Sequence, residues 1–354
     1  MTHVFIAPHP DDVALSCGGL VTGLRELGQA VTIVTVFSGG ARGSLTDYQR
    51  TALGFGSKAM FPDTVAFRRA NVPADLPVPI GATGGPAWAA DAARIGVTQE
   101  LANLQARQFW QRAAWTRSAN VTSLETDARP VADSVAGQGS LEDVDLSGAG
   151  IAEVRRIEDE RYAYFAECST VWLDLPDAVY RGYQGDDELL GRPRDDDLAP
   201  YEALRREILR LEPQMVYAPL GVGNHVDHQL CREAVLALLD EDRGWVMPAP
   251  SFAGRLSFYE DFPYAWWHDF PGPAQLAANG LVLPPGLALE ARYTDISEQL
   301  DRKIAGAGLY ASQLPRLFES EQQMLDAFAG YGARIAREGG IAGYAERYWA
   351  VVPI

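Results

Sequence analysis

The sequence has little of what marks a secreted, membrane-spanning or nucleic-acid-binding chain. Three cysteines in 354 residues, far apart, make no disulfide framework. No apolar run approaches the roughly 18 residues of a membrane span. Positive charge is scarce. Thirty Lys and Arg stand against 47 Asp and Glu, a net charge of −17, so the phosphates of a nucleic acid or an anionic membrane would be repelled. A neutral or cationic small molecule is the easier partner. Met1 leads straight into an apolar strand, without the basic segment or apolar core of a signal peptide, so the expected location is the cytoplasm. No G-x-G-x-x-G follows that strand, which removes a dinucleotide-binding reading. There are no internal repeats. Histidine is also rare, five in all, and three of the five fall in two short turns.

The first of these turns organises the chain. Val4 to Ala7 read as a short buried strand, ended by Pro8 and Pro10, which cannot donate to a ladder. Ala14 to Leu27 read as a helix. His9, Asp11 and Asp12 therefore share a strand-to-helix turn at the carboxyl end of a strand, the edge where open α/β sheets bind ligands. An Asp N-cap is the simplest reading of Asp12. Two adjacent carboxylates beside a histidine nevertheless repel each other in a way that a cation relieves. The second turn repeats the pattern: Met215 to Ala218 read as a strand, Gln229 to about Asp240 as a helix, and Asn224-His225-Val226-Asp227-His228 lie between them. Two turns of this kind point to a metal site.

The intervening chain reads as α/β. Gln29 to Phe37 is a β-branched strand that forms a parallel βαβ unit with the first strand and helix. Residues 41–150 are read as an insertion that flanks or caps the site, with an amphipathic helix at Thr98–Trp115 and a polar flank at Val121–Gly150; a surface excursion without function is the alternative. Ile151–Glu167 reads as a helix, Val171–Leu175 as a third strand and Asp186–Asp197 as a solvated acidic loop. Tyr201–Leu211 reads as a helix, and Leu256–Tyr264 as a strand running into a loop before Trp266 and Trp267, which suit either a sugar face or the core. Leu289–Tyr293 reads as an edge strand, and Ser297–Ala311, Leu317–Glu338 and Gly343–Trp349 as closing helices. Hydrophobic content of 47% supports one large core. The fold expected is an α/β, Rossmann-like three-layer sandwich with a mostly parallel sheet, a single catalytic domain over 1–354. Cys17 and Cys231 read as buried thiols.

His9-Pro10-Asp11-Asp12 with its trailing Gly18-Gly19, together with the distal His225-Val226-Asp227-His228, resembles the LmbE/PIG-L family of zinc-dependent de-N-acetylases. The resemblance implies an LmbE-like fold and hydrolysis of an N-acetyl group from an N-acetyl amino sugar conjugate, giving acetate and a free amine. The same chemistry on another amide, or a catalytically silent relative, is the alternative. It also implies that His9, Asp12 and His228 hold Zn²⁺ or another divalent metal, leaving a position open for water. Asp11 is then the general base. His225 stabilises the oxyanion or protonates the leaving amine, and Asp227 is placed to orient His225. Arg155, in an Arg-x-x-Glu with Glu158, and Asp177, after the third strand, would reach the polar groups of the sugar; an Arg155–Glu158 pair at i,i+3 is the simpler alternative for the arginine. One departure stands out: Val13 occupies the place after the Asp pair where the family usually has Glu.

Overall fold

The computed structural model describes residues 2–41, 44–54, 147–239 and 254–354. The expected helix Thr98–Trp115 and most of the 41–150 insertion lie outside the described residues. The elements run β1 (Thr2–Ala7), α1 (Asp12–Glu26), β2 (Ala30–Thr35), α2 (Asp47–Ala52), α3 (Gly148–Ala166), β3 (Ser169–Trp172), α4 (Tyr201–Leu211), β4 (Met215–Pro219), α5 (Val226–Ala237), β5 (Leu256–Tyr259), β6 (Leu287–Asp295), α6 (Leu300–Ala307), α7 (Glu321–Gly339) and β7 (Ala345–Pro353). Single helical turns lie between some of them. No helix among the described residues is long and apolar enough to cross a membrane.

The strands form one sheet in the order β3-β2-β1-β4-β5-β7-β6. From β3 to β5 every pair is parallel, whereas β7 runs antiparallel to both β5 and β6. The central strands β1, β2 and β4 are largely apolar on both faces because helices cover both. Along β1, Val4 and Ile6 join a core with Leu204, Ile208, Leu230 and Val235 from α4 and α5. Phe5 and Ala7 point the other way, into a core with Cys17, Val21 and Tyr162 from α1 and α3. This alternation makes the three-layer sandwich. Strand order reverses between β1 and β4, which pair in register from His3↔Met215 to Phe5↔Tyr217. That reversal is the topological switch point where α/β sheets open a crevice, and both histidine turns leave the sheet there.

Gly343–Trp349, expected as a closing helix, is a turn entering strand β7 at Ala345. Helix α7 stops at Gly340 in the left-handed region (φ 68°), and Gly343 (φ 102°) turns the chain back along the sheet. The charges of Glu346 and Arg347 obscure the strand pattern because both side chains are buried and paired, Glu346 with Lys303 at 2.7 Å and Arg347 with Glu260 at 2.5 Å. Glu346 also accepts hydrogen bonds from the Gly19 and Leu20 amides of α1. A Cβ on Gly19 would lie 2.6 Å from Ile296 Cγ2. The Gly18-Gly19 pair thus lets α1 approach Lys303 of α6, Ile296 ahead of it and Glu346 on β7.

Candidate active site

Each predicted site residue has a definite structural address. His9 stands in the turn after β1, Asp11 is the residue before α1, and Asp12 is the first residue of α1. The N-cap expected at Asp12 is not found: Asp12 is the first helical residue, and Asp11, in the cap position, makes no side-chain cap bond. The Asp12 carboxylate reaches back to accept from the His9 amide at 2.7 Å. The turn after β4 is closed by positive φ at Gly221 (83°), Gly223 (84°) and Asn224 (62°). At Gly223 any Cβ would also strike the Tyr264 ring at 2.5 Å. The turn delivers His225 to the position before α5 and Asp227 and His228 to its first turn.

Donor atoms converge on Asp12. His9 Nδ1 is 3.3 Å from Asp12 Oδ2, and His228 Nε2 is 3.4 Å from Asp12 Oδ1. The far nitrogen of each ring meets another carboxylate: His9 Nε2 bonds Asp227 Oδ2 at 2.9 Å, and His228 Nδ1 bonds Asp261 Oδ1 at 2.6 Å. A carboxylate only accepts, so when each ring is neutral and keeps its proton on the far nitrogen, the near nitrogen presents a lone pair beside Asp12. Imidazoles backed by carboxylates in this way are the usual arrangement of metal-binding histidines. The two Asp12 contacts also match the spacing of about 3.3 Å between donors that sit about 2.0–2.1 Å from a tetrahedral cation.

The electrostatics agree. Burial disfavours charge on His9, but hydrogen bonds to Asp12 and Asp227 outweigh it and raise its pKa to about 10. Burial likewise opposes charge on His228, and Asp12 and Asp261 reverse that, raising it. Burial would push Asp12 up, yet His228 and His9 hold it well below the usual carboxylate range. The cluster therefore attracts positive charge, and a divalent cation bound there would displace imidazole protons. The residues fit a metal. A second grouping, His9 with Asp177 and Asp227, is already balanced by arginines: Arg155 lies 3.4 Å from Asp177, and Arg181 lies 2.5 Å from Asp227.

His225 also forms a trio with His9 and His228 whose ring nitrogens lie within 4.8 Å of one another, close enough to hold a metal ion. Its Nδ1 accepts the Asp227 amide at 3.3 Å, so Nε2 carries the proton. Burial, and then the neighbouring His9 charge, pushes its pKa well below the ordinary value. His225 is a neutral N–H donor. Asp227 meets His225 only through this backbone N–H, while its carboxylate lies on His9. Burial and then the Asp12 charge raise Asp11, with Arg155 pulling the other way from 3.5 Å. Arg155 bridges Asp11 and Asp177, and its neighbour Glu158 accepts from Ser312. Arg155 and Asp177 also line a small cavity with Pro10, Phe37, Ile151 and Tyr180. Val13 is 1% exposed and packs in the apolar cluster of Phe5, Ala7 and Cys17.

Two site residues escape the sequence reading. Asp261 lies just past the end of β5, next to β4 in the sheet, and its Oδ2 accepts the Gly221 and Val222 amides at 2.7 Å each. An Asp at a strand's carboxyl end was its available signal. Arg181 follows a single 3₁₀ turn, Ala178–Tyr180, and is held by Asp197. Asp197 belongs to the stretch 186–197 expected to be solvated, yet its side chain is 11% exposed. Trp267 is 45% exposed, whereas Trp266 packs against the larger core.

The family description that matches residues 4–71 is PIG-L, GlcNAc-PI de-N-acetylase. A 2'-N-acetylparomamine deacetylase of Streptomyces fradiae is 31% identical over 222 residues, covering 58% of this chain and 73% of that protein. The fold is shared with a teicoplanin deacetylase in a zinc-inhibited form, at a TM-score of 0.56 and 18% identity over 100% of this chain and 99% of that one. A deacetylase–teicoplanin complex gives a TM-score of 0.55 and 16% identity with the same coverage.

Proposed function

Because the chain belongs to the PIG-L family of de-N-acetylases, we propose that it is a hydrolase that removes the acetyl group from an N-acetyl amino sugar conjugate, giving acetate and a free amine. The observation that carries the reading is the convergence of His9 Nδ1 and His228 Nε2 on the Asp12 carboxylate, with Asp11 adjacent. His9, Asp12 and His228 would hold a divalent metal, Zn²⁺ by preference for two imidazoles and a carboxylate. When bound, such an ion supplies Lewis acidity, polarising the acyl carbonyl and acidifying water.

The rest of the chemistry belongs to the chain's own side chains. Asp11 takes a proton from the attacking water; its raised affinity for protons suits that task. Water oxygen adds to the acyl carbon, and the carbonyl electrons move to the oxygen. The Nε2–H of His225 donates to that developing charge; a neutral donor favours this role over that of an acid. The C–N bond then breaks, and the departing amine receives the proton held by Asp11. Arg155, whose Nε has no partner among the described residues, and Asp177 bind the sugar's polar groups from the adjoining cavity. Asp227 orients His9. Residues 41–150 shape the choice of substrate.

The test is acetate release from a panel of N-acetyl amino sugar conjugates by metal-reconstituted protein, with metal content measured in parallel. We expect acetate from at least one sugar conjugate and one divalent ion per chain. Cleavage confined to non-sugar amides would reassign the substrate, and full activity in chelator without bound metal would reject the mechanism.

A further inference from the structure

We propose that Arg181 is a positioning residue of the metal centre, fixing the Asp227 carboxylate on His9 Nε2 so that His9 Nδ1 stays presented to a divalent cation. The proposal rests on the reading of His9 as a metal ligand. Arg181 donates from Nη2 to Asp227 Oδ1 at 2.5 Å. Nε and Nη2 fork onto Asp197 at 2.9–3.1 Å, and Nη1 donates to the Pro176 carbonyl at 2.6 Å. The guanidinium also lies 4.6 Å from the centre of the Phe37 ring. Every guanidinium nitrogen is engaged within the protein, so Arg181 is a strut and not a substrate contact.

Asp227 shows why a strut is needed. It is 0% exposed, and both oxygens are held. Oδ1 takes Arg181, and Oδ2 takes the Ala178 amide at 3.1 Å and His9 Nε2 at 2.9 Å. With Oδ1 released, the carboxylate could turn about its Cβ–Cγ bond and lose its aim at His9. A buried charge would also lose its guanidinium partner. Outer partners that orient a ligating imidazole typically govern about 10–100-fold in metal affinity. Asp197 holds Arg181 in turn and accepts from the Tyr183 hydroxyl at 3.0 Å, which ties the acidic stretch 186–197 to the metal centre.

The experiment measures Zn²⁺ dissociation constants by competition with a chromophoric chelator for the full chain and four variants. Cobalt-loaded spectra, folding by circular dichroism and steady-state kinetics at saturating metal accompany them. Arg181→Met is expected to weaken Zn²⁺ binding by about 10–100-fold and to change the cobalt spectrum, while KM is unchanged. Arg181→Lys, which can reach Asp227 but cannot fork onto Asp197, should recover part of the affinity. Asp197→Asn should weaken binding less than Arg181→Met. Arg347→Met breaks a buried ion pair elsewhere, with Glu260, and should lower the urea midpoint without changing Zn²⁺ affinity. Folded Arg181→Met with wild-type affinity overturns the proposal, as does an equal loss in Arg347→Met. Should Arg181→Met fail to fold, unchanged affinity in both Arg181→Lys and Asp197→Asn overturns it. A wild-type chain that binds no divalent ion overturns the metal-site reading, and this proposal with it.

Discussion

Asp261 separates metal binding from folding in a way two substitutions can read. One of its oxygens faces His228 Nδ1 at 2.6 Å, and the other accepts two backbone amides from the turn that carries His225 and His228. In Asp261→Asn the amide oxygen can keep both backbone donors, which places the NH₂ against His228 Nδ1. That nitrogen must then accept, so the proton moves to Nε2, the atom facing Asp12. The fold is retained, and the loss should fall on metal affinity, at about 10–100-fold. In Asp261→Ala the backbone donors lose their acceptor as well. Two buried amides at about 1–3 kcal/mol each give a destabilisation of about 2–6 kcal/mol in addition to the metal defect. Chelator competition reads the first effect, and urea unfolding of the metal-free protein reads the second. Wild-type Zn²⁺ affinity in Asp261→Asn would refute the tautomer argument, and Asn and Ala variants equal in urea midpoint would refute the account of the backbone donors.

Three further outcomes follow from the same geometry. Asp11→Asn should keep the metal and lose about 10²–10⁴ in turnover, as expected for a missing general base; single-turnover acetate release checks it, and near-normal rates would reassign the base. Glu158 has its pKa raised to about 7 by burial, against the pull of Ser312 and nearby arginines. The folded protein therefore binds this proton more tightly than the unfolded chain. The contribution is fullest below the unfolded value near 4.5 and is lost as pH rises through about 7, so wild type should lose more stability than Glu158→Gln between pH 5 and 8, by up to about 3 kcal/mol; parallel urea midpoints against pH would refute it. Gly19→Ala, which brings a methyl within 2.6 Å of Ile296, should destabilise by about 1–3 kcal/mol through overpacking, measured by urea unfolding, and an unchanged midpoint would mean that Ile296 yields freely.

What the sequence makes legible is what each stretch settles locally. Strands β1, β2 and β4 announce themselves because strands buried on both faces are short apolar runs, and the two turns because His and Asp crowd into a few positions. The meeting of those turns follows from topology: parallel strands on either side of the switch point present adjacent carboxyl ends. Long-range pairing erases the local signals elsewhere. Strand β7 hides because Glu346 and Arg347 occupy buried positions, each neutralised by a partner far along the chain. Asp261 and Arg181 hide for a related reason. Each turn constrains the spacing of its own His and Asp, so that spacing is readable, whereas a group that meets a ring's far nitrogen can arrive from any element. Asp227 shows the limit even within a motif. Its neighbour His225 lies two positions away, but its carboxylate goes to His9, 218 positions away. The start of a helix projects backbone N–H groups towards the preceding residue, so Asp227 serves His225 with its amide and leaves its side chain for the neighbouring turn. The inner ring of donors is thus written in two short motifs. The outer ring of Asp261, Arg181 and Asp197 is specified by the sheet order and the turns that follow β3 and β5.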